Sequence, residues 1–497
     1  MADRRVAVIG AGVSGLAAGA VLARRGFEVD VFEAGERPGG YVTGFRRHGF
    51  YFDATGAFLA ACGPGGALTR VLEAAGARDE VAFLPIPEIR NVYPGFDLRL
   101  DYRSPRAYLE GVAARFPGHR EALARYARLT ERLGRELLAL DEAPGWKRAL
   151  FPLFFPRILR YARASHARVL GRLFPGAPDL WLALSALPTT LPPSRLSYPF
   201  VAVLWAKVLR EGVFYPRGGM EALSGALARA LARAGGRLHL GARVAGIRLS
   251  PDGRRAAGVR LASGGTADAD WVVGASNLFA ARRLLPGGRH PYGRLHRAKR
   301  LRPSASALLF YLGLPSDALP PDWPYFVSIQ TDADLERAAA ALAEGSMEEG
   351  LHVVITTPSL LDPGLAPPGH HSVKVLVHAP PAGRFRHRYG EAAALSRLED
   401  RIFGEIRSLA GVDLRGPARF VERATPMTLE RRTGNEEGAM YGLDAAVDQV
   451  GPLRPPNRTA LDRLLWVGHY THPSHGIVGS ALSGLFAADT ITEAAGR

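Results

Sequence analysis

Three glycines at fixed spacing, Gly10, Gly12 and Gly15, constrain this chain more than any other feature. They follow Arg5–Ile9 (RVAVI), an apolar, β-branched run of the kind buried in a parallel sheet. They open an alanine- and leucine-rich helix ending near Arg25-Gly26, after which a second strand, Glu28–Phe32, delivers Glu33. Each part has a role in gripping a dinucleotide. Gly10 permits the tight turn, Gly12 lets the backbone approach a pyrophosphate, and Gly15 lets the helix pack closely on the strand. Val13 and Ser14 stand in the helix's first turn, where free N–H groups and the positive dipole end suit phosphate. Glu33 lies eighteen positions beyond Gly15, placed to accept both ribose hydroxyls and to repel a 2′-phosphate.

Two further features favour FAD over NAD. After Glu33 the run Ala34-Gly35-Glu36-Arg37-Pro38-Gly39-Gly40 sets a second glycine pair beside the path of a ribityl chain. Near the other end, the strand Leu464–Gly468 ends on a glycine, and Gly476-Ile477-Val478-Gly479-Ser480 opens a small-residue helix reaching about Ala494. A cofactor as long as FAD needs a second helix N-terminus near its flavin end, and this segment supplies one. No second GxGxxG is present, so a separate NAD(P)H domain is not expected.

The 497 residues exceed one ordinary core, so two interlocked domains are expected. The formal net charge is +16, and lysine occurs only at Lys147, Lys207, Lys299 and Lys374, so the excess is arginine. It reflects either an arginine-rich genome or attraction to anionic lipid or nucleic acid. No zinc pattern, recognition helix or aromatic RNA motif accompanies it, and nucleic acid is not expected as a partner. The single cysteine, Cys62, excludes an intramolecular disulfide and a cysteine-based metal cluster. Arg4-Arg5 and the small apolar run Val6–Ala23 mimic a signal peptide, but the glycine spacing assigns that run to the fold. No uninterrupted apolar stretch reaches eighteen residues, and no membrane-spanning helix is expected.

The N-terminal unit with its Glu36-Arg37-Pro38-Gly39-Gly40 run resembles the FAD-dependent amine oxidase and phytoene desaturase superfamily. Later blocks resemble, within it, the bacterial phytoene desaturase family and its carotenoid isomerase and retinol saturase relatives. These blocks are Gly49–Asp53 (GFYFD), Gly63–Glu73, Tyr215–Met220 (YPRGGM), Ala424–Thr428 with Thr433–Asn435 and Gly438–Gly442, and Thr471–Pro473 ahead of Gly476. The sequence departs from that pattern at Tyr41, where the family commonly has arginine. It departs again at His469, Tyr470, Ser474 and His475, where small residues are usual. The resemblance puts these positions at the isoalloxazine ring, so they leave the reaction open.

What the resemblance implies is an α/β fold. A Rossmann-like FAD-binding domain is assembled from three discontinuous segments (1–100, 214–274 and 442–497). An α+β substrate domain has a helical, membrane-associated part (101–213) and a mixed sheet (275–441). Local patterns agree: a helix Glu221–Ala234, a strand Arg237–Leu240, and a hairpin Arg243–Leu249 and Gly258–Leu261 turning at Pro251-Asp252-Gly253. Asp270–Gly274 returns to the first sheet, while Ala305–Leu314, His352–Thr356 and Ser372–His378 read as substrate-domain strands. By resemblance the Val244 backbone pairs with adenine. The cofactor-binding set is then Gly10, Gly12, Val13, Ser14, Gly15, Glu33, Ala34, Arg37, Gly39, Gly40, Val244, Gly468, Gly476, Ile477 and Val478.

A flavin that dehydrogenates a hydrocarbon needs a dry apolar tunnel holding an allylic C–H against its N5 more than it needs acids and bases. No Ser-His-Asp or paired-carboxylate arrangement stands at informative spacing. His469, His472 and His475 are the candidates beside the flavin. As a trio they also suggest a metal site, but no carboxylate accompanies them, and flavin contact or packing is preferred. The expectation is an FAD-dependent oxidoreductase that desaturates a carotenoid or related polyene, with quinone or oxygen as electron acceptor. The alternatives are polyene isomerisation or saturation on reduced flavin, non-covalent amine oxidation, and a binding protein like the Rab GDP-dissociation inhibitors. The intact glycine and Glu33 set argues against the last.

From Pro144 to Phe174, Trp146, Leu150, Phe151, Leu153, Phe154, Phe155, Ile158, Leu159 and Tyr161 mingle with Lys147, Arg148, Arg157, Arg160 and Arg163. Such a mixture suits a helix lying in the plane of an anionic bilayer. The competing reading is an internal helix pair broken by Pro152 and Pro156. The expected location is cytoplasmic, peripherally membrane-associated.

Overall fold

The computed structural model describes residues 4–185, 191–293 and 301–496; Lys299 and the Arg148 side chain fall outside the described set. A five-stranded parallel sheet is assembled from distant parts of the chain. Its order is Arg237–His239, Glu28–Phe32, Arg5–Ile9, Trp271–Gly274 and Leu464–Trp466. Alternation along each strand gives the sheet two apolar faces. Val6, Val8, Val29 and Val31 pack under the helices Val13–Arg24, Glu221–Arg233 and Gly476–Ala494. Ala7, Ile9 and Phe32 pack under a three-stranded antiparallel sheet, Val244–Leu249, Ala256–Leu261 and Thr266–Asp268.

Glycine decides how close the helices come. A Cβ on Gly15 would lie 2.0 Å from the Gly10 carbonyl oxygen, and one on Gly484 would lie 2.2 Å from that of Ser14. The N-terminal and C-terminal helices therefore meet backbone against backbone beside the glycine loop.

The second sheet has seven strands in the order Phe420–Ala424, Ser306–Pro315, His370–Ala379, His352–Thr356, Phe326–Gln330, Glu88–Tyr93 and Phe96–Asp101. Pairing is antiparallel except between Phe326–Gln330 and Glu88–Tyr93. Val373, Val375 and Val377 pack on the helix Ala392–Ala410, while Leu376, Val354 and Phe326 face the other way, toward the first sheet. The stretch 88–101 thus lies in the larger sheet, although the expected segment 1–100 put it with the nucleotide-binding unit. Its alternation marks a strand pair but carries no information about which sheet accepts it.

A helical layer, Pro105–Arg115, Arg120–Glu142 and Tyr198–Glu211, covers one side. Between its members run three short helices, Gly145–Ala149, Phe151–Phe154 and Pro156–Tyr161. Pro152 and Pro156 sit in first turns, where the missing N–H costs nothing, so the prolines start these helices rather than break one. Glu136 anchors the third by accepting the amides of Arg157 at 2.9 Å and Ile158 at 3.2 Å. Among the described residues no helix is long and apolar enough to cross a membrane.

Candidate functional site

A cavity of about 660 Å³ extends from the carboxyl ends of the parallel strands to the inner face of the seven-stranded sheet. Its volume lies within the span of small-molecule sites, and strand carboxyl ends are where open α/β sheets bind ligands. At that end Gly10 turns with φ +103°, and a Cβ there would lie 2.9 Å from the Ala275 carbonyl oxygen. Gly12 is the opposite case: nothing lies within 4 Å of a Cβ built on it, so its missing side chain leaves room for a ligand rather than for protein.

Two helices begin in this cavity, Val13–Arg24 after Gly12 and Gly476–Ala494 after His475, and neither has a side-chain cap. Their first amides are left for an anionic or acceptor-rich ligand. Glu33 accepts the Ala11 amide at 2.7 Å and the Gly35 amide at 2.8 Å. Each carboxylate oxygen keeps a further acceptor position for a ligand hydroxyl. Gly39, at φ +117°, donates its amide to the Ala11 carbonyl at 2.8 Å, which lays the second glycine pair alongside the first loop.

Of the residues singled out in sequence, Gly10, Gly12, Val13, Ser14, Glu33, Ala34, Gly39, Gly40, Val244, Gly468, Gly476, Ile477 and Val478 line this one cavity. Gly15 lies behind it as a packing glycine. Arg37 is exposed and does not line it. His469 and His475 line the cavity, whereas His472 stacks on Phe486 with ring centroids 6.0 Å apart.

Beyond the second helix start the lining becomes a set of buried neutral polar groups. Asn435 Oδ1 accepts the Tyr470 hydroxyl at 3.2 Å and sits 3.3 Å from His469 Nε2. Burial, aided by the Arg454 cation, pushes His469 down to about 3, so its ring stays neutral. Arg454 is itself buried and donates to the carbonyls of His469 and Thr471. The Tyr41 hydroxyl donates to the Ala439 carbonyl at 3.1 Å, and burial pushes it up to about 12.

A second buried network supports the opposite wall. Asp53 accepts the Tyr215 hydroxyl at 2.8 Å and the Met220 amide at 2.7 Å, tying the YPRGGM turn in place. Lys374 donates to the Thr55 carbonyl at 3.0 Å and to that of Gly56, and burial pushes its amine down to about 8 against the pull of Asp53. Arg454 and Lys374 escaped the sequence reading. Lys374 had one visible signal, a lone lysine inside the apolar strand Ser372–His378. The rest of the chamber is walled mainly by apolar side chains, Phe58, Leu59, Phe200, Leu204, Phe326, Val354 and Leu376, with Lys207 also lining it from the helix of Phe200 and Leu204. Among the described lining residues the only carboxylate is Glu33.

This arrangement fits FAD: an open glycine cradle, two uncapped helix starts and an acid with open acceptor positions in one cavity. The family model for flavin containing amine oxidoreductases matches residues 13–492. The chain is 29% identical to the all-trans-zeta-carotene desaturase of Myxococcus xanthus, over 99% of this chain and 94% of that one. It is 26% identical to the chloroplastic prolycopene isomerase of Arabidopsis thaliana, over 97% of this chain and 82% of that one. In structure it is similar to an oxidoreductase from Methanosarcina mazei, with a TM-score of 0.63 at 17% identity, covering 97% of this chain and 99% of that one. The chain belongs to the flavin containing amine oxidoreductases and is an FAD-dependent oxidoreductase.

Proposed function

We propose that this enzyme dehydrogenates a carotenoid-class polyene, converting a C–C bond to C=C. The observation that carries the reading is the distribution of charge in the cavity. The nucleotide cradle opens into a mainly apolar chamber whose lining includes the cation Lys207, and Glu33, the one carboxylate among the described lining residues, stands at the cradle end. A buried ammonium would have no counter-charge in that chamber, which disfavours amine oxidation. An apolar chain is stabilised there by leaving water. Similarity to both a carotene desaturase and a prolycopene isomerase supports the polyene class.

FAD, when bound, supplies the hydride acceptor. The chain's own residues hold and orient. Gly10, Gly12, Val13 and Ser14 receive the pyrophosphate, with Gly15 keeping the helix close. Glu33 takes the ribose, Ala34 and the Val244 backbone the adenosine end, and Gly39 and Gly40 border the ribityl path. Gly468, Gly476, Ile477 and Val478 border the flavin end, where neutral His469 and protonated Tyr41 present hydrogen bonds without exchanging protons near neutrality. Quinone or oxygen takes the electrons away.

The polyene reaches the enzyme through a membrane surface formed by the three short helices. Five of the seven exposed large apolar side chains among the described residues lie there: Trp146, Leu150, Leu153, Phe154 and Leu159. Lys147 lies over the rings of Trp146 and Phe154, and Arg160 and Arg163 are exposed beside them, a composition suited to an anionic interface.

Chromatography with mass analysis, after incubating holoenzyme with polyene-loaded liposomes, tests the reaction. Loss of two hydrogens with a longer chromophore supports desaturation. Unchanged mass with altered geometry replaces it with isomerisation, and gain of two hydrogens with saturation.

A further inference from the structure

Strands of the seven-stranded sheet present alternate side chains to the cavity, and Phe326, Val354 and Leu376 line it. Two residues along on the same faces, just beyond the lining itself, stand Ser328, His352 and His378. His352 Nδ1 and His378 Nδ1 are 3.0 Å apart, and His352 Nε2 is 3.0 Å from Ser328 Oγ. His378 Nε2 is buried and has no hydrogen-bond partner.

Burial keeps both rings neutral, His352 pushed down to about 4 and His378 well below its ordinary value. Two neutral imidazoles carry one N–H each, so the chain of bonds has two possible directions. If His352 Nδ1–H donates, the Ser328 hydroxyl donates to His352 Nε2 and His378 Nε2 is an N–H without an acceptor. If His378 Nδ1–H donates, His352 Nε2–H goes to Ser328 and His378 Nε2 is a lone pair without a donor. One ring nitrogen is left over either way, and a buried unsatisfied group of this kind calls for a physical reason.

The His378 ring lies 6.2 Å from that of Tyr441, which lines the cavity and whose hydroxyl makes no hydrogen bond among the described residues. The Tyr441 ring in turn lies tilted against that of His475, centroids 5.4 Å apart, another cavity-lining ring, whose Nδ1 is also buried without a partner among the described residues. Unpaired neutral groups thus collect at one end of the apolar strip. The charged residue nearest along this strand face, Lys374, is four positions away and engaged with backbone carbonyls.

We propose that this corner recognises a hydroxyl group near one end of the polyene, with His378 and Tyr441 as specificity-determining residues. A hydroxyl both donates and accepts, so it satisfies either direction of the histidine pair. Among the described residues this strand face offers no cation other than Lys374, already engaged with carbonyls, which suits a neutral oxygen rather than a carboxylate. The inference rests on the polyene reading above and names the substrate class more closely.

The test compares holoenzyme on a hydrocarbon polyene and its monohydroxylated counterpart, reading kcat and KM separately and binding by quenching of protein fluorescence. Wild type is expected to favour the hydroxylated chain by about tenfold or more in kcat/KM, mostly through KM. His378→Leu brings that ratio close to one with FAD occupancy unchanged, and His378→Gln, which keeps a donor and an acceptor, restores part of it. Should His378→Leu fail to fold, Tyr441→Phe carries the same comparison. Equal ratios in wild type and variants, or a wild-type preference for the hydrocarbon, overturn the inference. Discrimination in binding without turnover of either chain upholds the hydroxyl corner and overturns the reaction. Neither binding nor turnover of any polyene overturns both.

Discussion

Glu33 and Ala11 are joined by a 2.7 Å hydrogen bond from the Ala11 amide to the Glu33 carboxylate, which ties the end of the second strand to the glycine loop. The acid therefore holds the loop's shape while keeping acceptor positions open, which the proposed reading gives to the ribose. Glu33→Gln retains one carbonyl oxygen and loses the charge-assisted clasp. A hydrogen bond to a charged group contributes about 1.5–3 kcal/mol, so FAD affinity of the deflavinated protein falls about tenfold or more by calorimetry. Unchanged affinity would remove Glu33 from the site.

Gly12 and Gly15 separate binding from folding. A Cβ on Gly12 meets open space, so Gly12→Val is expected to fold with an unchanged denaturation midpoint and to purify without yellow colour. A Cβ on Gly15 meets the Gly10 carbonyl, so Gly15→Ala is destabilised by about 1–3 kcal/mol in chemical denaturation. A fully flavinated Gly12→Val protein contradicts the placement of the pyrophosphate.

The proposed membrane surface gives a paired comparison. Leu153→Ser with Phe154→Ser, both exposed, is expected to lower flotation with anionic liposomes while leaving the melting temperature unchanged. Phe155 is only 4% exposed, so Phe155→Ser lowers stability instead, by about 3 kcal/mol. Flotation unaffected by the double variant places the contact elsewhere.

Acidification weakens the fold through its buried histidines. Burial pushes His166 and His469 down to about 3 and His352 to about 4, and lowers His378 and His475 as well. Each is neutral when folded, whereas the unfolded chain takes up protons below about 6.5. Stability is therefore fully present above that value and lost as pH falls toward the folded values, by up to about 1.4 kcal/mol per pH unit for each histidine. Denaturation midpoints at pH 7 and 5 check this, and His166→Gln flattens the slope by one histidine's share. Equal midpoints at the two pH values contradict the burial.

Arg454 supplies a fixed positive charge beneath the His469–Thr471 loop. Arg454→Met is expected to lower the flavin's two-electron potential by about 30 mV or more, the equivalent of 1.4 kcal/mol, measured by dye equilibration. His469→Ala shifts the potential while FAD stays bound. No shift in either variant makes that loop structural only.

Much of this was legible because its physics is local. The Gly10–Gly15 turn, the uncapped helix starts and Glu33 need only neighbours in sequence, and the strand Arg5–Ile9 falls where its apolar run does. What stayed hidden depends on contacts far along the chain. Glu88–Tyr93 pairs with Phe326–Gln330 more than two hundred residues away, a choice no local pattern encodes. Arg37, next to the second glycine pair in sequence, is exposed and does not line the cavity, since nearness in sequence does not fix which side of the loop a side chain takes. Arg454 and Lys374 lie in segments with no motif, and their roles arise only from carbonyls that tertiary folding brings to them.

The central claim is that a polyene delivers hydride to the enzyme's flavin. Anaerobic mixing of oxidised holoenzyme with polyene-loaded liposomes, followed by the yellow flavin absorbance, tests it most directly. The expected result is bleaching in a single turnover, with one flavin reduced for each C=C bond formed. Flavin that stays oxidised with every polyene, and bleaches instead with a primary amine, contradicts it.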